Sequence, residues 1–342
     1  MAMIEGLPVV ERVKLHKLFT ATPKSANNLE EYLTDKRFSD GRVCPICGST
    51  HVHRNGRRAN GSQKFMCCDC GKSFSIRTNT VFSGTHKGLD VWMEYLDCMA
   101  EGLSLAKTAE RCHIAFGTAF AWRHKIMDAA AESAKDDMLH GIVEADETYT
   151  GISYKGNRKA FVDGTAGRSQ RHHGGENHTA GLSDELVCVP CAVDRNGVAV
   201  SKVAKLGKCS TEAVEKVLGG HLDGKSTLCT DEDRSYKRFA KENVTKHVAI
   251  KGGRKTVKGI FHIQHLNAYH STLKSFLSRF KGVSTKYLNN YLTWHNAVEH
   301  HKSSLQEKAR LLLESLASAI FEETCAAVPL RPALPLLIKN QS

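Results

Sequence analysis

Two groups of residues in this 342-residue sequence have the types and spacing to do chemistry. The first is Cys44-x-x-Cys47, nineteen further residues, and then Cys67-Cys68-x-Cys70. Thiolate pairs at that separation are the pattern of a tetrahedral zinc site. Gly48 and Gly71, one after each pair, permit the knuckle turn that aims backbone N–H groups at sulfur. Cys44, Cys47, Cys67 and Cys70 are therefore the expected Zn2+ ligands, with Cys68 spare. Such a metal folds its module and takes no part in a reaction. The second group is acidic. Asp146 lies inside the apolar run IVEADETYTG, and Asp231 ends the run STLCTD. A carboxylate leaving a buried strand is costly unless it is paired or holds a cation. Two of them on adjacent strand ends could clamp Mg2+ or Mn2+ ions about 3.5–4 Å apart, as two-metal phosphoryl chemistry requires. Taken singly, each also fits a strand-end turn or a helix cap. Glu144 alternates with Asp146 onto the same strand face, whereas Glu147, Glu232 and Asp233 read as solvated or supporting groups.

A third cluster lies in HIQHLNAYHSTLK, His262 to Lys274. Leu266, Tyr269, Leu273, Leu277 and Phe280 form the apolar stripe of an amphipathic helix. Asn267, His270 and Lys274 fall at i, i+3 and i+7 beside that stripe, a polar cluster without a carboxylate. The alternative is ordinary polarity of a helix surface.

The elements that must position these groups divide the chain. Residues 1–40 read as helical, 41–85 as the zinc ribbon, and 86–140 as helical with a helix-turn-helix-like DNA-binding pattern over Ser104–Ala130. There Ala109 and Ile114 should pack between the helices, and Trp122 and Ile126 should face the core. Thr118, Ala121, Arg123, His124 and Lys125 would form an exposed face for the major groove. From 141 to 301 short β-rich runs alternate with helices, interrupted by a basic insertion at 151–185 (YKGNRK, GRSQRHHGG). Residues 302–342 hold a helix and a tail. The fold class expected is multidomain α/β. Cys188-x-x-Cys191, in a strand and without a second pair, reads as core.

The net charge of +12 is concentrated. Asn243 to Val298 contains no Asp or Glu but nine basic residues, including Lys251, Arg254, Lys255 and Lys258. Residues 41–90 carry eight Lys and Arg, among them Arg54, Arg57, Arg58 and Lys64 on the ribbon arm, against Asp69 and Asp90. Two separate basic regions suit one polyanion, most simply double-stranded DNA. Twelve cysteines without a signal-peptide pattern suit a reducing cytoplasm, and no apolar run is long enough to span a membrane.

CPICGS with CCDCGKSFSIRTNTVFSGT, then TAFAWRHKI, VEADETYTG, TDEDRSY and HIQHLNAYHSTLKSFLSRFKGVSTKYLNNYLTW resemble the zinc-ribbon group of bacterial insertion-sequence transposases of the DDE type. The resemblance runs from about residue 25 to about residue 300. It implies an RNase H-like α/β catalytic core behind the ribbon and helix-turn-helix. It also implies metal-dependent cleavage of transposon ends with strand transfer into target DNA, and a nucleoid-associated protein that is at least a homodimer on DNA. Asp146 and Asp231 match the first two members of the Asp–Asp–Glu triad. The third departs from the commonest pattern: seven residues before Lys274 stands Asn267, not Glu. Asn267 still offers a carbonyl oxygen to a hard metal, His270 offers a ligand or a proton relay, and Lys274 would meet the terminal phosphate. The missing carboxylate leaves an alternative, a catalytically inactive transposase-derived DNA-binding protein or zinc-ribbon regulator.

Overall fold

The computed structural model describes residues 26–58, 61–164, 166, 185–244, 246–250, 257–300, 304–318 and 323–334. Most of the 151–185 insertion, the first twenty-five residues, Lys251, Arg254, Lys255 and the last eight residues lie outside them, as does the side chain of Lys258. The chain divides into two compact units, one built on residues 16–135 with 303–331, the other on 136–302.

The first unit opens with α1 (Ala26–Arg37) and an antiparallel ribbon of β1 (Val52–Arg57), β2 (Gln63–Cys67) and β3 (Ser73–Phe74). Phe65 at the centre of β2 is fully buried, 5.6 Å from the Phe74 ring and 5.0 Å from Phe38. Helices α2 (Leu89–Ala100), α3 (Leu105–Arg111) and α4 (Phe116–Ser133) follow. Ser104 caps α3 by accepting the Lys107 N–H, which satisfies one orphan donor of the first turn. His113, at φ 50°, turns the chain into α4. Ala109, Trp122 and Ile126 are buried as the pattern expected, and Trp122 stacks on Trp92 at 3.7 Å.

The exposed recognition face expected on α4 is corrected by the structure. Arg123 is 1% and Lys125 2% exposed, His124 and Ala121 are buried too, and Thr118 is half-buried. The reason is non-local: α4 packs on α3 and also on the helix Leu305–Ser318 and the turn Val328–Leu330 from the far end of the chain. Arg123 donates to the Leu103 carbonyl at 2.9 Å and to Thr108 Oγ1 at 3.2 Å. What α4 leaves in solvent is its two ends, Phe116 and Gly117 in the first turn and Ala131 and Glu132 in the last. Arg123→Ala should therefore act as a core mutation. Loss of buried hydrogen bonds is expected to cost about 2–4 kcal/mol in urea unfolding, against a few tenths for exposed Lys107→Ala.

The second unit runs β4 (Ile142–Gly151), α5 (Lys159–Val162), β5 (Leu186–Asp194), β6 (Ala199–Ser201), β7 (Lys205–Leu206), α6 (Thr211–Leu218) and β8 (Thr227–Thr230). It continues through α7 (Arg234–Asn243), β9 (Lys246–Ala249), the hairpin β10 (Val257–Lys258) and β11 (Phe261–His262), α8 (Gln264–Ser278) and α9 (Leu288–Trp294). The sheet order is β6-β5-β4-β8-β9, with β7 also on β5. β4, β5 and β6 are antiparallel neighbours, whereas β4, β8 and β9 are parallel. Parallel strands need a crossover, and α7 supplies the one from β8 to β9. One sheet face buries Val143, Ala145, Cys188 and Leu228 against α6 and α7. The other carries α8, through buried Leu266, Tyr269, Leu273 and Phe276. Leu277 and Phe280 of the expected stripe are only half-buried. Cys188 and Cys191 are both buried, and three residues along a strand set them on opposite faces, which suits core and not shared chelation.

Candidate functional site

β4 pairs with β8 in the register Val143↔Leu228 and Glu144↔Cys229. Two more residues bring Asp146 level with Asp231, just past Thr230, where β8 ends. β4 runs on beyond that point, so its edge faces the turn Asp231–Asp233. Ligands of parallel sheets gather at such carboxyl ends. Asp231 Oδ1 accepts the Asp233 N–H at 3.0 Å, and Asp233 caps α7 by accepting the Ser235 N–H at 2.7 Å. Glu147 Oε1 accepts from the Tyr149 hydroxyl at 3.1 Å, while its Oε2 is buried without a partner. Glu147 and Asp233 thus belong to the site more closely than the sequence suggested, and the only signal for them was their adjacency to Asp146 and Asp231.

Negative charge is crowded at this end of the sheet. Burial, then Glu147, then Asp231 and Asp233 push the Asp146 carboxyl from an ordinary 3.8 up to about 7. Burial, with Asp231 and Asp233, also raises Glu147. Among the described residues no Lys or Arg forms an ion pair with any of these four carboxylates. Hard oxygen donors with unbalanced charge fit a divalent cation such as Mg2+.

Helix α8 is registered along β4. At its start, Glu144 Oε2 accepts the N–H groups of His265 and Leu266 at 2.8 and 3.1 Å. Further on, a cavity of about 270 Å³ is lined by Thr148 and Thr150 of β4 with Leu273, Lys274 and Leu277 of α8. Moving two residues along β4, from Glu144 to Asp146, advances about 6.6 Å. At about 1.5 Å per helical residue that spans four to five residues of α8, a stretch ending near Tyr269 and His270. Burial and nearby Lys274 lower the His270 imidazole to about 4, and its Nε2 is buried without a partner. A neutral imidazole carries one lone-pair nitrogen, and with no hydrogen bond holding Nε2 the tautomer that exposes the lone pair there is open to the ring. Asn267 and Lys274 are exposed on the same flank, Asn267 one turn nearer the helix start, and neither bonds to the aspartates.

In the ribbon the four sequence-predicted thiols converge: Cys44 to Cys70 Sγ is 3.8 Å, Cys47 to Cys67 is 3.6 Å, and all lie within 4.8 Å of one another. Zinc–sulfur bonds of about 2.3 Å at tetrahedral angles put sulfurs about 3.8 Å apart, so the cluster fits zinc. N–H groups of Cys70 and Asp69 aimed at Cys67 hold its thiol below the ordinary range, the knuckle effect anticipated from Gly71. Cys68 is exposed, 3.4 Å from His53 Nδ1, and stands apart from the cluster. Arg54, Arg57 and Arg58 are exposed on or beside β1, and Lys64 is half-buried on β2.

Residues 25–73 match a family model described as a transposase zinc-ribbon domain, and residues 138–294 one described as an ISXO2-like transposase domain. A Halobacterium salinarum protein described as an uncharacterized protein in transposable element ISH50 is 24% identical over 278 residues, covering 81% of this chain and 90% of that protein. No helix among the described residues is long and apolar enough to cross a membrane.

Proposed function

We infer that this chain, which carries a transposase zinc-ribbon domain and an ISXO2-like transposase domain, is a DNA transposase that cuts the ends of its element and joins them to target DNA. The observation that carries the reading is the pair Asp146 and Asp231, level on neighbouring parallel strands with no cation of their own. The central β4 flanked by antiparallel β5 and parallel β8 supports an RNase H-like arrangement. Asp146 and Asp231 would hold the divalent ions, and Glu147 and Asp233 would add negative field beside them. His270 and Asn267 offer neutral donors where the commonest pattern has Glu, and Lys274 binds a DNA phosphate at the mouth of the cleft. Bound Mg2+ or Mn2+ would supply the Lewis acidity and charge neutralisation of an in-line displacement at phosphorus. Arg54, Arg57, Arg58 and Lys64 contact the DNA backbone from the ribbon, and pairing two ends requires at least a dimer on DNA.

The test is the full chain with duplex DNA bearing the element's termini and either metal. A 3′-hydroxyl cut at the terminus followed by a joined product is expected. End binding without cleavage under both metals would instead establish the inactive DNA-binding reading, which the neutral third position favours. A second measurement concerns pH. Because the folded-state pKa of Asp146 is raised to about 7, the folded protein takes up a proton there as pH falls, and metal must compete with it. Mn2+ should raise the melting temperature more at pH 8 than at pH 5.5, and Asp146→Asn should remove most of the increment.

A further inference from the structure

Glu144, two residues before Asp146 on the same face of β4, is 0% exposed and ionisable. Besides the two α8 N–H groups on its Oε2, its Oε1 lies 3.0 Å from an Arg195 guanidinium nitrogen, 2.8 Å from His265 Nδ1 and 3.3 Å from His262 Nδ1. One carboxylate with two imidazoles could suggest a second metal site. Arg195 argues against it, since its Nη1 sits 2.9 Å from both His262 Nε2 and His265 Nδ1. The guanidinium stands where a cation would stand. It is also fixed by the Ile260 carbonyl at 3.2 Å. Arg195 belongs to the turn after β5, so sheet and helix start are tied by one ion pair between a half-buried guanidinium and a buried carboxylate.

The other end of α8 is held from the same segment of chain. Lys155, four residues past β4, donates to the carbonyls of Phe280 at 2.7 Å and Gly282 at 2.8 Å, with Lys281 at 3.4 Å. An anion thus meets the positive end of the helix, in the sense favoured by the macrodipole, and a cation holds the turn that follows its C-cap Arg279. Both come from β4 and the residues just after it. Ser153 reinforces the second anchor, its N–H donating to Thr285 Oγ1 at 2.8 Å.

We propose that Glu144, with Arg195 as its counter-ion, and Lys155 are positioning residues that set α8 along β4, and thereby set how far His270 and Asn267 stand from Asp146. This rests on the metal-dependent cleavage inferred above. The experiment uses the full chain as Glu144→Gln and, because Lys155 is exposed and its truncation leaves the core intact, Lys155→Met. Amide exchange, end binding and the Mn2+ concentration for half-maximal cleavage are measured for each. Supporting groups of a metal site change metal affinity or activity by about 10–100-fold. Glu144→Gln is expected to raise half-saturating Mn2+ at least about tenfold, with end binding unchanged. Exchange protection should fall in the first turns of α8 while β8 and α7 keep theirs. Lys155→Met should do the same more weakly at the last turn, and Lys155→Arg should restore it. Were both variants to leave the Mn2+ requirement and the α8 exchange as in wild type, the proposal would be overturned. A failure of wild type to cleave would count against the transposase reading alone, since the exchange arm reports on the anchors without any reaction.

Discussion

Asp146→Ala or Asp231→Ala in the full chain should lower end cleavage and strand transfer by roughly 10³-fold or more, the scale seen when a group that stabilises transition-state charge is removed. End binding should be unchanged. At Asp146 stability should move the other way, which separates a catalytic loss from misfolding. The Asp146 carboxyl ionises in the folded protein near pH 7 and in the unfolded chain near its ordinary 3.8. Between those values the unfolded state releases the proton first, so folding stability falls as pH rises, and above 7 the whole cost of a buried anion is present. Without metal, Asp146→Asn should therefore melt at a higher temperature than wild type at pH 8. The gap should close as pH falls towards 4. Stability sacrificed to charge repulsion for the sake of activity is a recognised trade-off at functional sites. If Asp146→Asn melted lower at pH 8 and still cleaved DNA, Asp146 would be an ordinary strand residue, and the two-aspartate site would have to be abandoned.

What could be read from the sequence follows the range over which each signal acts. The ribbon thiols were legible because zinc geometry is encoded in spacing and local glycines, and the four sulfurs lie where that spacing requires. Asp146 and Asp231 were legible one at a time, as carboxylates ending apolar runs. Their coming level depends on the β4–β8 register, which neither run contains. The burial of Arg123, His124 and Lys125 was invisible because α4 is covered by Leu305–Ser318, a helix almost two hundred residues downstream. Three adjacent polar residues on a helix read as solvent-facing until something packs there. The anchoring role of Glu144 was hidden for a related reason. Its alternation with Asp146 was seen, but its partners come from the turn after β5 and the start of α8, so nothing nearby in sequence marks it as an anchor.

Cys67→Ser, or stripping zinc with a chelator, should abolish end binding by unfolding the ribbon while leaving the α/β unit folded. Structural zinc contributes about 10–16 kcal/mol in small modules, far more than the short ribbon strands can supply alone. The apolar core around the ribbon strands is small, built on Phe65, Phe74 and Phe38 with Ile76 and the cysteines themselves. The α/β unit, by contrast, buries its sheet on two faces and owes nothing to the thiols. Amide-exchange protection should therefore vanish in β1 to β3 and persist in β4, β8 and α8. Cys68→Ser is the control: it removes an exposed thiol beside His53 and outside the cluster, and should change neither zinc content nor binding. Should zinc-free protein keep both ribbon protection and end binding, the ribbon would be a fold that stands without zinc, and the structural role of the four thiols would have to be abandoned.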